Sequence, residues 1–153
     1  MLIPVEIASF GVDTQANAPL IILKECAGNR SFAIPLDQAD ARTIAIHSLE
    51  VKTEQPYAVD LLMQIASSSS CTFIKATIHT REGAGFTGRI YYTIAAMVHI
   101  SQCRIGDLIA LALRGKIPIL AEESLFTVSA ETASLANRIA ALNTIDFGTY
   151  HLE

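Results

Sequence analysis

The stretch from Arg104 to Ala121 constrains the fold of this chain more than any other. Residues 108–113 are all apolar, and the pair Arg104 and Asp107 stands just before them. A helix that is apolar on nearly every side must be covered by protein on nearly every side. After a short break, the apolar run at 117–121 is typical of a strand. We therefore expect a buried helix whose polar entry reaches the surface, where helix caps and active sites both occur.

The composition is unusually apolar for one small domain. The chain has 153 residues, of which 51% are hydrophobic and 17% charged, and its mean hydropathy is +0.39. So few charged residues leave apolar surface uncovered, and we therefore predict a homo-oligomer. The longest charge-free runs, 61–74 and 90–103, are shorter than the roughly 18 residues that a membrane span needs. We predict no interaction with a membrane.

Terminal sequence, cysteines and charge indicate the compartment and the kind of partner. The first residues contain no basic leader followed by a long apolar core, so we predict no signal peptide. Cys26, Cys71 and Cys103 are odd in number and widely spaced, which predicts buried free thiols in a reducing cytoplasm. The net charge of −4 and the scattered basic residues argue against a tight, general nucleic-acid binder. They are compatible with an enzyme that holds nucleic acid weakly through a metal.

Short apolar runs separated by turn residues predict an α+β fold with mostly antiparallel strands in hairpins and packed helices. The predicted strands are 5–10, 20–23, 31–34, 72–79, 85–94, 97–102 and 118–121, and the predicted helices are 37–49, 57–66, 104–114 and 130–142. We assign residues 1–127 to the main domain and 128–151 to a C-terminal helical extension packed on it. Leu152 and Glu153 are interpreted as a cloning remnant.

Three aspartates share one predicted position, the first turn of a helix. Asp40, Asp60 and Asp107 each follow a helix start, where a carboxylate interacts favourably with the positive end of the helix dipole by about 0.3–1 kcal/mol. A purely structural role explains each of them. Alternatively, two or three of them converge on Mg²⁺ or Mn²⁺, since carboxylates that hold such an ion can activate water and neutralise phosphate charge. The spacing leaves both interpretations open.

Two interpretations are open for Arg104 as well. Arg104 can form an ion pair with Asp107, or it can contact a phosphate while Asp107 orients it. His79 and His99 lie in predicted strands and are expected to be structural. Tyr91 and Tyr92 point to opposite sides of their strand, so we expect packing rather than a base-stacking platform.

Several short motifs, taken in order, resemble the bifunctional nuclease family over Val5 to Phe126. They are Ile34-Pro35 leading into residues 40–45, Pro56 followed by Asp60, and Arg104-x-x-Asp107 followed by the apolar helix and Pro118. The resemblance implies an α+β protein that packs as an oligomer and hydrolyses DNA and RNA. It also implies that Asp60, Arg104 and Asp107 occupy polar motif positions, and that Asp40 stands where the family usually has Glu. The sequence departs from the family at Val59, where a His is usual, and at Gly106, where a Ser is usual.

Two functional hypotheses follow. In the first, the protein is a divalent-metal-dependent nuclease of low sequence specificity. Asp60 and Asp107 hold Mg²⁺ or Mn²⁺ or orient water, Asp40 assists as a metal ligand, and Arg104 contacts phosphate. This requires the Asp60 and Asp107 carboxylates to lie within about 4–8 Å of each other. In the second, the protein is a non-catalytic oligomeric binding or regulatory module, in which the same residues cap helices and pair charges.

Overall fold

The computed structural model of the chain describes residues 1–83 and 85–126. These contain seven strands, three helices and a short 3₁₀ turn at Glu123–Phe126. The strands are β1 (Leu2–Asp13), β2 (Ala18–Glu25), β3 (Ser31–Pro35), β4 (Thr72–Thr80), β5 (Phe86–Ile94), β6 (Met97–Cys103) and β7 (Ile119–Glu122), and the helices are α1 (Gln38–Ser48), α2 (Ala58–Ser68) and α3 (Ile105–Gly115). The predicted helix 130–142, the end of the predicted domain and the terminal remnant lie outside the described residues.

The seven strands form one sheet in the order β3-β2-β1-β7-β4-β5-β6. Every neighbouring pair is antiparallel except β4 and β7, which are parallel. Strand β7 therefore joins two hairpin groups, because it pairs with β1 on one side and with β4 on the other. The predicted α+β class with mostly antiparallel strands is confirmed.

Helix α3 is the centre of the core, as its apolar sequence predicts. Leu108 and Ile109 are fully buried, and the helix contacts α1, α2, β4 and β5. The helix approaches β5 closely at Gly88, where a Cβ atom would lie 2.9 Å from Leu108 Cδ2. A residue larger than glycine would push the helix off the sheet. The residues before and after α3 therefore have well-defined positions.

At the starts of α1 and α2, an aspartate side chain accepts a hydrogen bond from a nearby backbone amide. Asp37 precedes α1 and accepts a hydrogen bond of 2.7 Å from the amide of Asp40. In α2, Asp60 Oδ2 accepts a bond of 2.9 Å from the amide of Tyr57. Side-chain acceptors of this kind satisfy amides that have no partner inside the helix. Asp40, Asp60 and Asp107 lie in the first turns of their helices, as predicted.

The cysteine and histidine predictions have mixed outcomes. The three cysteines are free, but Cys26 is exposed and Cys71 and Cys103 are only partly buried, so the prediction of buried thiols is wrong. Cys26 lies in a turn after β2, outside the core. His79 and His99 have the expected structural contacts, since His79 Nε2 lies 2.8 Å from Thr77 Oγ1 and His99 stacks on Tyr92.

Among the described residues, none of the helices has the length and apolar character that a membrane span requires.

Candidate functional site

The predicted site residues are divided between the two ends of α3. Arg104 precedes the helix and Asp107 lies in its first turn, whereas Asp60 pairs with Arg114 in its last turn. Arg114 lies seven positions after Asp107, which is about 10 Å along a helix axis. We use the name entry cluster for the first group, which consists of Asp37, Asp40, Arg104 and Asp107. We use the name exit pair for Asp60 and Arg114.

In the entry cluster, one guanidinium lies among three carboxylates. Arg104 Nη2 donates a hydrogen bond of 2.8 Å to Asp40 Oδ2 and lies 3.4 Å from Asp37 Oδ2. Its Nη1 is 4.0 Å from Asp107 Oδ2, which is too far for a hydrogen bond. The guanidinium has five N–H donors, so Nη1 keeps donors that can reach a ligand. Arg104 and Asp107 are 65% and 63% exposed, and this side of the cluster is open to solvent.

Asp40 has a different environment from the other carboxylates of the cluster. Its side chain is only 16% exposed. Burial raises the pKa of Asp40, the charges of Asp37 and Asp107 raise it further, and Arg104 opposes them. A partly buried carboxyl group with a raised pKa beside a specific charge partner is typical of functional sites, although structural ion-pair networks produce it as well. Among the predicted residues, Asp40 is the one best suited to exchange a proton.

The position of Asp40 depends on the absence of a side chain at residue 106. A Cβ atom on Gly106 would lie 2.3 Å from Asp40 Cγ and 2.4 Å from its Oδ2. These separations are far below van der Waals contact, so the Asp40 carboxylate would have to shift from its position beside Arg104. The Asp40 carboxylate therefore occupies the space that a side chain at position 106 would fill.

Replacing Gly106 with Ala tests this coupling. We expect Gly106→Ala to lower the free energy of unfolding by about 1–2 kcal/mol, because displacement of the Asp40 carboxylate outweighs the higher helix propensity of Ala. In an Asp40→Ala background the same change should instead stabilise the protein by about 1 kcal/mol. Urea unfolding of the four proteins measures both values. Equal effects in the two backgrounds would show that the contact is unimportant.

In the exit pair, Asp60 is held by two donors. Arg114 Nε donates to Asp60 Oδ1, and the amide of Tyr57 donates to Asp60 Oδ2. The hydrogen bond from Arg114 lowers the pKa of Asp60, and this outweighs the effect of burial, which raises it. The carboxylate is 18% exposed. One oxygen of Asp60 therefore caps the start of α2, and the other attaches it to the end of α3.

Asp60 should contribute to stability in a pH-dependent way. Its pKa is lower in the folded protein, so its contribution is fully present above the unfolded value of about 3.9 and is lost as pH falls through the folded value. We expect Asp60→Asn to cost roughly 1 kcal/mol near pH 7, a modest value because Arg114 is half exposed. The difference from the parent protein should shrink below about pH 4. Chemical denaturation at a series of pH values checks this, and a constant difference would contradict it.

The residues of the predicted metal site, Asp40, Asp60 and Asp107, lie at different ends of α3. The charges that act on Asp40 are those of Asp37, Arg104 and Asp107, whereas those that act on Asp60 are His47 and Arg114. Within residues 1–83 and 85–126, no group of three or more His, Cys, Asp or Glu side chains is arranged to hold a metal ion. The physical reason is that α1 and α2 place their first turns at opposite ends of α3. The three carboxylates therefore do not fit one Mg²⁺ or Mn²⁺ ion.

Two residues near Asp60 were missed by sequence reasoning. Arg114 is an ordinary basic residue in a last helical turn, and its spacing from Asp60 gives no sign of a contact. His47 in α1 is buried, and burial is the main cause that lowers its pKa, while Asp60 raises it. In sequence, a helical histidine that lacks metal-ligand spacing to other residues gives no sign of a functional role. Val59, where the family has His, packs against the core and leaves that position without a polar group.

The described residues form an α+β domain in which the entry cluster and the exit pair lie at the two ends of the buried helix α3. The sequence model of the bifunctional nuclease domain matches residues 21–134, which is well over half of the chain, and the protein therefore belongs to that family. Two proteins of Mycobacterium tuberculosis, the uncharacterized protein MT1877 and the uncharacterized protein Rv1829, are similar to it. Each is 26% identical over 120 residues, which cover 78% of this chain and 71% of the relative.

Proposed function

We propose that this protein hydrolyses phosphodiester bonds of DNA and RNA at the entry cluster, with low sequence specificity. The observation that supports the proposal is a partly buried carboxyl group of raised pKa, Asp40, beside an exposed guanidinium and a second exposed carboxylate. Membership of the bifunctional nuclease domain family supplies the class of substrate.

Each of the three groups has the chemistry for one part of the reaction. Arg104 binds a phosphate oxygen through its Nη1 donors and stabilises the charge that develops there. Asp107, as an exposed carboxylate, accepts a proton from the attacking water. Asp40, in its protonated form, gives a proton to the leaving oxygen. One P–O bond forms from water and the ester P–O bond breaks, so the net reaction consumes one water molecule.

Charge sets a condition on this mechanism. Three carboxylates and one guanidinium give the cluster a formal charge of −2 when all are ionised, and this repels a polyanion. Protonation of Asp40 reduces the charge to −1, which is consistent with the raised pKa of that residue. A role for Mg²⁺ or Mn²⁺ stays a proposal from the family resemblance, because the predicted ligands do not form one site.

The first experiment is a cleavage assay on the parent protein. Single- and double-stranded DNA and RNA are incubated with purified protein in Mg²⁺, in Mn²⁺ or in EDTA. Cleavage that co-purifies with the folded protein supports the proposal, and its presence or absence in EDTA decides whether a divalent ion is required. Absence of cleavage under all three conditions would refute hydrolysis and favour the second candidate below.

The second candidate function is a non-catalytic binding or regulatory module. It is favoured by the way the two arginines attach α3 to its neighbours, since Arg104 bonds to Asp40 in α1 and Arg114 bonds to Asp60 in α2. Asp40 and Asp60 are each the third residue of their helix. The same contacts can therefore serve stability alone, and the loss of the family His at Val59 agrees with that.

We further propose that the protein forms a homo-oligomer through β6, an edge strand of the sheet. Within the described residues β6 pairs only with β5, and its side chains Met97, Val98 and Ile100 are 65%, 62% and 57% exposed. Edge strands are usually protected by charge, Pro or cover, and β6 contains no Asp, Glu, Lys, Arg or Pro. The opposite edge, β3, is shorter, ends in Pro35 and buries its aromatic residue.

A further inference from the structure

A cavity of about 680 Å³ lies beside the exit pair. It is bounded by the end of α1, the segment that connects α1 to α2, the first half of α2 and the end of α3. Ligand sites of small molecules typically have volumes of about 300–1,000 Å³. The cavity is therefore large enough for one nucleotide. It is separate from the entry cluster, none of whose residues lines it.

One residue that lines this cavity, His47, carries a buried polar atom without a partner. His47 is 8% exposed, and its Nε2 has no hydrogen-bond partner among the described residues. Its ring meets the ring of Tyr57 edge to face, with centroids 5.9 Å apart. Buried side-chain nitrogens nearly always have a partner. An imidazole that lines a cavity without one points to a group that binds there.

The cavity lining includes basic side chains that can bind a phosphate. Arg114 uses Nε to bind Asp60, which leaves its two terminal amino groups as donors. Lys52 and Lys116 also line the cavity, opposed by Glu50 and Glu54. A guanidinium held in place by a carboxylate is a good phosphate contact, because less side-chain freedom is lost on binding.

Apolar side chains also line the cavity and can accommodate a flat ring. Val51, Pro56 and Leu113 line the cavity together with the polar residues. Binding sites typically combine apolar walls with a few polar groups that fix orientation. A nucleotide has the matching features, since it joins a phosphate to a heterocycle that has both apolar faces and hydrogen-bonding edges.

We propose that this cavity binds one nucleotide unit, with its phosphate at Arg114 and Lys116 and a hydrogen-bonding group of its base at His47 Nε2. The choice of a nucleotide rests on the proposed function, which supplies nucleic acid as the substrate class. The cavity holds either a nucleotide of the bound chain or a released mononucleotide, and both share the same chemistry. Burial lowers the pKa of His47 and so favours the neutral imidazole, whose Nε2 can accept or donate one hydrogen bond.

Titration calorimetry with adenosine 5′-monophosphate, adenosine and inorganic phosphate tests the proposal on the whole protein. We expect the mononucleotide to bind more tightly than either fragment. His47→Leu should weaken binding about tenfold, the effect of one hydrogen bond, and should not lower the Tm, because it removes an unpaired polar atom. Lys116→Gln should weaken binding of the mononucleotide and of phosphate, but not of adenosine. Lys24→Gln, outside the cavity, is the matched control.

Several results would overturn the proposal. They are absence of mononucleotide binding, equal affinity for phosphate and for the mononucleotide, and binding that neither His47→Leu nor Lys116→Gln changes. If His47→Leu does not fold, the comparison of Lys116→Gln with Lys24→Gln still decides. Failure of the cleavage assay with intact mononucleotide binding would reject hydrolysis alone, whereas cleavage without mononucleotide binding would reject this site alone.

Discussion

Arg104→Ala should reduce kcat/KM for phosphodiester cleavage by about 100- to 1,000-fold, the usual effect of removing one group that stabilises transition-state charge. Asp107→Asn and Asp40→Asn should each reduce it by at least about 100-fold, because each removes one proton-transfer group. The three side chains approach each other in the entry cluster, with 2.8 Å between Arg104 Nη2 and Asp40 Oδ2. Initial rates of cleavage under one set of ionic conditions measure these losses.

The pH dependence of cleavage separates a catalytic Asp40 from a structural one. As a general acid, Asp40 must be protonated, so cleavage should fall as pH rises through its raised pKa. Asparagine cannot donate an acidic proton, and the residual activity of Asp40→Asn should lose this dependence. A variant that merely loses stability would lower the rate and leave the shape of the profile unchanged.

Matched substitutions outside the cluster complete the test. Arg81→Ala and Glu82→Gln change an exposed arginine and an exposed carboxylate in the turn between β4 and β5. Both should cleave within a few-fold of the parent protein. Circular dichroism and thermal unfolding must show that every variant is folded. Full activity in folded Arg104→Ala and Asp107→Asn would reject the entry cluster as the reaction centre.

Much of the fold could be predicted because it follows from local pattern. The apolar run 108–113 required cover on all sides, and α3 is indeed buried between α1, α2 and the sheet. The alternation around Tyr91 and Tyr92 predicted opposite orientations, and Tyr92 bonds to Ser101 whereas Tyr91 lies under the Lys75 ammonium. Each of these predictions depends on the periodicity of a single element. Predictions that depend only on such local periodicity are therefore the ones that the structure confirms.

The arrangement of the candidate site could not be predicted because it depends on how elements are placed relative to one another. Asp40, Asp60 and Asp107 look equivalent in sequence, each in the first turn of a helix. Their separation depends on the directions of α1 and α2 along α3, which no local pattern encodes. The contact of Asp40 with Gly106 and the unpartnered nitrogen of His47 are likewise properties of packing between distant segments.

We propose β6 as the surface for the self-association predicted from composition, and one substitution there should weaken it strongly. We expect Ile100→Lys to raise the dissociation constant of the oligomer by about 100-fold or more. It places a charge on the exposed edge of β6, where it would have to be buried without a partner on pairing. Ile100 is the middle residue of β6, so in antiparallel pairing about a two-fold axis near it the two lysines also repel each other. Sedimentation velocity over a range of protein concentrations measures the change.

The control for this prediction is the same charge at the other edge of the sheet. Ser31→Lys adds a lysine at the start of β3 and should leave the oligomer intact, because that edge is short and ends in Pro35. A parent protein that sediments as a monomer would refute self-association. An oligomer that persists in folded Ile100→Lys would instead place the interface on another apolar surface. The exposed face of α2, with Leu61 and Ile65 at 53% and 55% exposure, would then be the next surface to change, because burial of those side chains supplies the same kind of apolar driving force.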